Sequence, residues 1–235
     1  MIIKRYHNLY QITFLPYLFP INCFVVEQEA DLICIDMGVG KFADTVKEMV
    51  HQTGKPLNTL ILTHAHGDHV NGIPYFKKVF PEVLVGISKR DSYLLKKDFR
   101  LQEDEPDKPV KGGFPKNIIP IDFTFKSGEF IDSLEVISSP GHTPGAVSFF
   151  EPQHRMLIAG DAFQTRGGLA VSGVLKWQFP FPKIATWDRK MAVESAKKLL
   201  DLNPELLAVG HGNMLVYPKE QMKKAIKVAE RGMEK

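Results

Sequence analysis

Apolar positions along this chain follow two alternating rhythms. Short runs of β-branched and other apolar residues at 21–26, 32–36, 59–62 and 83–86 predict strands. Apolar residues spaced three and four apart predict helices at 42–53 and 88–98. The stretch from Ile12 to Val26 is apolar but interrupted by Pro16, Pro20 and Asn22, so it reads as a strand, a loop and a strand. Residues 101–116 are polar and carry Pro106, Pro109, Gly112, Gly113 and Pro115; they predict the loop between two halves, with a boundary near 101–120. Strand patterns resume at 134–138, 147–151 and 156–159. Helical patterns follow at 186–202 and 218–231, the last with Pro218 at a permitted first helical position. Strands alternating with helices over 235 residues describe one α/β domain spanning residues 1–235.

One run of polar residues interrupts this pattern with chemistry. Thr63-His64-Ala65-His66-Gly67-Asp68-His69 follows the strand pattern that ends at Leu62 and places three imidazoles and a carboxylate within six residues. Neutral imidazole and carboxylate are common protein ligands for zinc. A helical pattern broken by Gly72 and Pro74 follows at roughly 68–80, so the run sits on a strand-to-helix turn. His64 and His66 are two apart beside Gly67, which excludes a helical H-E-x-x-H arrangement. Three further candidate ligands end short strand patterns: His142 in Ser139-Pro140-Gly141-His142-Thr143-Pro144-Gly145, Asp161 after Gly160, and His211 after Gly210. Each has a glycine beside it, which allows tight turns and close backbone approach, and sites in open α/β sheets gather where strands end.

In order and kind, His64-x-His66-x-Asp68-His69 with His142, Asp161 and His211 resembles the ligand set of the metallo-β-lactamase-fold hydrolases. The likeness runs over nearly the whole chain, including an opening hairpin at 22–27 and 31–36 closed by Met37-Gly38. The resemblance implies a four-layer αββα sandwich. It implies two metal ions, with His64, His66 and His142 on the first, Asp68, His69 and His211 on the second, and Asp161 bridging both. Two ions about 3.5–4 Å apart can clamp a hydroxide, and Asp68 becomes the candidate catalytic proton carrier. Five imidazoles and two carboxylates suit two Zn2+ and are also compatible with Fe or Mn. Flavodiiron relatives resemble a Glu at the position of His66, so His66 favours zinc and hydrolysis.

The reading is therefore a dinuclear zinc hydrolase, similar to glyoxalase II and the lactonases, acting on a small ester, thioester or lactone. The glutathione-holding residues of glyoxalase II have no clear match in Ala162-Phe163-Gln164-Thr165-Arg166, and the assisting Tyr of acyl-homoserine lactonases is missing, because no Tyr occurs between Tyr93 and Tyr217. Alternatives within the same likeness are an iron-dependent persulfide dioxygenase, a ribonuclease Z-like phosphodiesterase, for which no long basic arm is visible, and a binding member that keeps its metals structurally.

Composition changes this picture little. Hydrophobic content of 44%, charged content of 24% and a net charge of +3 describe an ordinary globular chain. The densest lysines, at 219–235, alternate with Glu and Ala at helical spacing and read as a solvated helix face. No apolar run reaches the roughly 18 residues of a membrane span, and no small-residue cleavage site follows the apolar start. The expected partner is thus a small-molecule substrate, not nucleic acid or a membrane, in a cytoplasmic protein. Cys23 and Cys34 read as small core residues on the two hairpin strands, with a disulfide left open. Two Pro-rich apolar stretches, 14–20 and 175–182, offer Tyr17, Phe19, Trp177 and Phe179 as pocket wall or as a homodimer interface. Arg166 is a candidate partner for an acidic substrate group.

Overall fold

The structure is a computed structural model that describes residues 1–233. The first half runs β1 (Ile2–Tyr6), β2 (Leu9–Phe14), β3 (Ile21–Glu27), β4 (Leu32–Ile35), α1 (Lys41–Thr53), β5 (Leu57–Ile61), α2 (Gly67–Val70), α3 (Ile73–Val79), β6 (Leu84–Ser88), α4 (Lys89–Leu95) and β7 (Phe123–Phe125). Its seven strands form one sheet in sequence order, antiparallel from β1 to β4 and parallel from β4 to β7. The second half contains β8 (Phe130–Ile131), β9 (Leu134–Ser138), β10 (Val147–Glu151), β11 (Met156–Ile158), the short ribbon β12 (Phe163–Gln164) and β13 (Ala170–Val171), α5 (Phe181–Ala185), α6 (Arg189–Asp201), β14 (Leu206–Ala208), β15 (Leu215–Val216) and α7 (Lys219–Arg231). Its six-stranded sheet has the order β15-β14-β11-β10-β9-β8, with β11 and β14 parallel.

Strand alternation divides the apolar residues among three cores and so creates four layers. On β3, Cys23 and Val25 face α1 and α3 through Phe42, Val46, Ile73 and Phe76, whereas Phe24 and Val26 face the second sheet. On β11, Met156 and Ile158 point into that same central layer, and Leu157 points outward to α6 and α7. Strands covered on both faces read as continuous apolar runs, which is why the central strands stood out. Phe149 lies fully buried between the sheets; its replacement by Ala is of the class that costs about 3–5 kcal/mol.

The structure corrects three expectations. The boundary near 101–120 moves: β7, which follows that loop, still pairs in parallel with β6 (Gly86↔Phe123), so the chain changes sheets at 126–129. The helix expected from 186 starts at Arg189, because the Asp188 side chain accepts a hydrogen bond from the Met191 N–H at 2.8 Å and caps it there. An added hairpin, β1–β2, precedes the one expected. Cys23 and Cys34 are buried free thiols 3.5 Å apart in the first helix-facing core.

Candidate metal centre

Parallel strand pairs bring distant ligands together. β4 and β5 end side by side, so Asp36 after β4 lies against the turn after β5: its carboxylate accepts from the Thr63 N–H and hydroxyl, both at 2.8 Å. β11 and β14 likewise end together, which sets Asp161 beside His211. The loop after β9 contributes His142 from the other side.

Five imidazoles converge, and the partner of each outward ring nitrogen fixes its tautomer. Thr63 gives its proton to Asp36, so at 3.0 Å it accepts from His64 Nδ1. His69 Nδ1 donates to Asp36 at 2.7 Å and His211 Nδ1 to the Pro20 carbonyl at 2.6 Å. His142 Nδ1 donates to Ser172 and Thr186, whose own hydroxyl protons go to the Asp161 and Pro182 carbonyls. His66 is reversed: its Nε2 donates to the Lys111 carbonyl at 2.8 Å, which turns Nδ1 inward.

The inward atoms need a cation. His66 Nδ1 and His142 Nε2 face each other at 3.0 Å with their protons committed elsewhere. Asp161 lies 3.1 Å from His211 Nε2, 3.3 Å from His142 Nε2 and 3.4 Å from His69 Nε2. His64 Nε2, His69 Nε2 and Asp161 Oδ1 are buried with no hydrogen-bond partner, and orphaned buried polar atoms of this kind require an explanation. Three sets of groups lie close enough to share an ion: His64, His66 and His142; His64, His69 and Asp161; and Asp68, His69 and His211. All seven sequence candidates therefore converge on one cluster, and a polar, ligand-rich cluster of this composition fits bound metal.

Charge within the cluster is unevenly distributed. Burial holds His64 well below the ordinary imidazole range, with the neighbouring imidazoles adding to the effect, and takes His142 down to about 3. Burial also lowers His66. For His69 and His211 burial acts the same way but is overcome by carboxylates: Asp36 and Asp161 raise His69 well above its usual value, and Asp161 with Asp68 raises His211 to about 10. Asp161 is held well below the carboxylate range despite burial, because His211 and His69 face it; Asp68 is lowered as well, chiefly by its hydrogen bond to His211.

Sequence reading missed the supports around these ligands. Asp36 is one, and its signal was present: it ends an apolar strand as Asp161 does. Asp91 is another. Buried at the start of α4, it accepts from the Ala65 N–H (2.9 Å), the Thr143 hydroxyl (2.7 Å) and the Gly145 N–H (2.7 Å), tying together the two loops that carry His64, His66 and His142. The supposed connecting loop is a third. Besides the Lys111 contact to His66, Gly113 accepts from the Gly67 N–H at 2.7 Å. Gly112, at φ +110°, passes so close to the His66 ring that any Cβ there would overlap it.

A cavity of about 840 Å³ opens over the cluster. Phe19, Phe114, Ile119, Phe181 and Ile184 give it apolar walls, and Lys116 and Asn117 supply polar atoms. Of the proposed pocket residues, Phe19 lines this space. Phe179 is buried behind it, 4.9 Å from both the Phe19 and His211 rings. Tyr17 and Trp177 do not line it: they point to solvent at 78% and 88% exposure, since their Pro-containing loops turn outward beyond Phe19 and Phe179. Arg166 also lies off the cavity and donates to the Tyr17 carbonyl, stapling two loops.

Comparison with known proteins agrees with this architecture. A family model described as the metallo-beta-lactamase superfamily matches residues 16–211. The uncharacterized protein YobT of Bacillus subtilis is 48% identical over 99% of this chain and 100% of its own length. The hydroxyacylglutathione hydrolase GloC of Haemophilus influenzae is 26% identical over 85% of this chain and 89% of its own. The crystal structure of DIM-1 metallo-beta-lactamase exposed to ceftazidime superposes with a TM-score of 0.74 at 17% identity, covering 98% of this chain and 96% of that one.

Proposed function

The chain belongs to the metallo-beta-lactamase superfamily, and from that premise we propose that it is a dinuclear zinc hydrolase of small esters, thioesters or lactones. One observation carries the reading: the buried Asp161 carboxylate lies 3.1–3.4 Å from His142, His69 and His211 at the floor of an apolar cavity, within reach of ligands from both ends of the cluster. His64, His66 and His142 would hold one ion, Asp68, His69 and His211 the other, and Asp161 would serve both. Bound there, two ions would acidify a water toward neutral pH and polarise a carbonyl oxygen.

The residues of the chain divide the remaining work. Thr63, Asp36, Pro20, Lys111, Ser172 and Thr186 orient the rings, so His64, His66 and His142 present inward lone pairs without rearrangement, whereas His69 and His211 must first give up the protons their carboxylates hold there. Phe19, Phe114, Ile119 and Phe181 exclude water and seat the apolar part of a substrate. Asp68 is 31% exposed on its side chain where Asp161 is 3%. It therefore reaches the cavity and can pass a proton to the departing oxygen or sulfur. Similarity to a hydroxyacylglutathione hydrolase supports the thioester as the first substrate class to test.

The test is turnover of an ester, thioester and lactone panel by stripped and zinc-reconstituted protein. Zinc should restore hydrolysis, and Asp68→Asn should lower the rate per bound zinc by about a hundredfold or more, beyond any metal loss that elemental analysis shows. Zinc-loaded protein inert across the panel would overturn the reading, as would Asp68→Asn at full rate for the role of Asp68.

A further inference from the structure

The cavity mouth carries a surface that hydrolysis does not require. Leu18, Tyr17, Trp177, Ile184 and Phe181 are 79%, 78%, 88%, 68% and 50% exposed. Single exposed apolar residues are ordinary, but these belong to two segments packed against each other. The Phe19 ring packs edge-on against Phe179 at 4.9 Å and tilted against Phe181 at 4.8 Å, and Arg166 joins the Tyr17 carbonyl to the loop beside Gln178. They form one apolar rim beside the entrance that Phe19, Phe181 and Ile184 line.

The segments that form this rim carry charge of one sign, while Asp68 and Asp161 lie on the cavity floor. Residues 14–20, 108–119 and 165–187, which supply the rim and the opposite cavity wall, contain no Asp or Glu. They contain Lys108, Lys111, Lys116, Arg166, Lys176 and Lys183. Lys108 is paired with Asp188 at 2.5 Å and Arg166 is tied to Tyr17. Among the described residues, Lys111, Lys116, Lys176 and Lys183 form no ion pair. Lys176 turns into a separate groove beside Lys224 of α7, so in a chain of net charge +3 three unpaired lysines, Lys111, Lys116 and Lys183, concentrate positive charge in the segments around the rim.

We propose that this rim docks the protein on an anionic lipid surface, with Tyr17, Leu18, Trp177 and Ile184 entering the interface and the lysines meeting the headgroups. Aromatic and aliphatic side chains beside lysine are what the interfacial region accepts, and each Lys near an anionic leaflet adds attraction. A second copy of the chain fits less well. A two-fold contact would set the same lysines against one another without an acid between them. The sequence-based expectation of no membrane partner rested on the missing span, which surface docking does not use.

Tryptophan emission tests this directly. The chain has two tryptophans; Trp187 is 1% exposed, so a blue shift on adding vesicles reports Trp177. Zinc-loaded protein is titrated with phosphatidylcholine vesicles and with mixed phosphatidylcholine–phosphatidylglycerol vesicles, alongside cosedimentation. Partitioning into the mixed vesicles should be at least about tenfold stronger and should weaken as salt rises. Leu18→Asp and the double change Lys116→Glu with Lys183→Glu should each abolish it, and Trp177→Phe should lose the blue shift while still cosedimenting. No binding to the mixed vesicles, equal binding to neutral ones, or a blue shift that instead follows protein concentration with a doubled mass would overturn the proposal.

Discussion

His142 and His211 occupy equivalent places, each on a turn that follows a strand of the second sheet, and both are buried. Yet the first is held down to about 3 and the second pushed up to about 10. Burial depresses both. Both face Asp161, His142 at 3.3 Å and His211 at 3.1 Å; His142 also faces an imidazole, His66 at 3.0 Å, whereas His211 faces a second carboxylate, Asp68 at 3.3 Å. Carboxylate placement, not position in the fold, sets the charge of each half-site. The three-histidine half-site offers lone pairs already free of protons. The other half-site must exchange protons for metal.

Asp161 touches both halves, and its removal should have the largest effect. Asp161→Ala leaves His69 and His211 facing no shared carboxylate, a change of the class that costs about 3–5 kcal/mol. Zinc titration should show loss of tight binding at both half-sites. Retention of either at wild-type affinity would break the comparison. Asp36→Asn should come next. It disturbs the acceptor for the His69 Nδ1–H and for Thr63, and losses of about 10- to 100-fold in metal affinity are typical for such supports. Asp91→Asn should lower stability by about 1–3 kcal/mol, read by denaturant unfolding, because one of its acceptor oxygens becomes a donor facing the Ala65, Thr143 or Gly145 donors.

The last effect is a pH dependence, confined to the metal-free protein. The His211 value in the folded, metal-free chain, about 10, lies above the roughly 6.5 of an unfolded histidine. A raised base contributes stability that is complete below about pH 6.5 and is lost as pH climbs toward 10. Metal-free protein should therefore lose thermal stability over that window. Metal occupies the same nitrogen and removes the dependence, so the Tm gap between loaded and stripped protein should widen with pH. A constant gap would contradict the assignment of charge to this half-site.

The ligands were legible because His64, His66, Asp68 and His69 crowd into one run after an apolar strand, and His142, Asp161 and His211 each follow an apolar strand with a glycine beside them, patterns that need no tertiary information. The central strands were legible because they are buried on both faces. What stayed hidden depends on contacts between distant segments. Asp91 joins residues 65 and 145, and nothing local marks it. The Pro- and Gly-rich loop at 101–116 looked like a connection between halves, yet it returns to the first sheet and folds over His66. Tyr17 and Trp177 share apolar character with Phe19 and Phe179, and composition does not distinguish the ring that faces the cavity from its neighbour that faces solvent.

Metal content per chain, measured by elemental analysis after reconstitution with excess zinc and removal of the unbound ion, tests the two-half-site account most directly. The account predicts about two zinc ions per chain, falling together in Asp161→Ala. One ion per chain at saturation, unchanged by loss of Asp161, would contradict it.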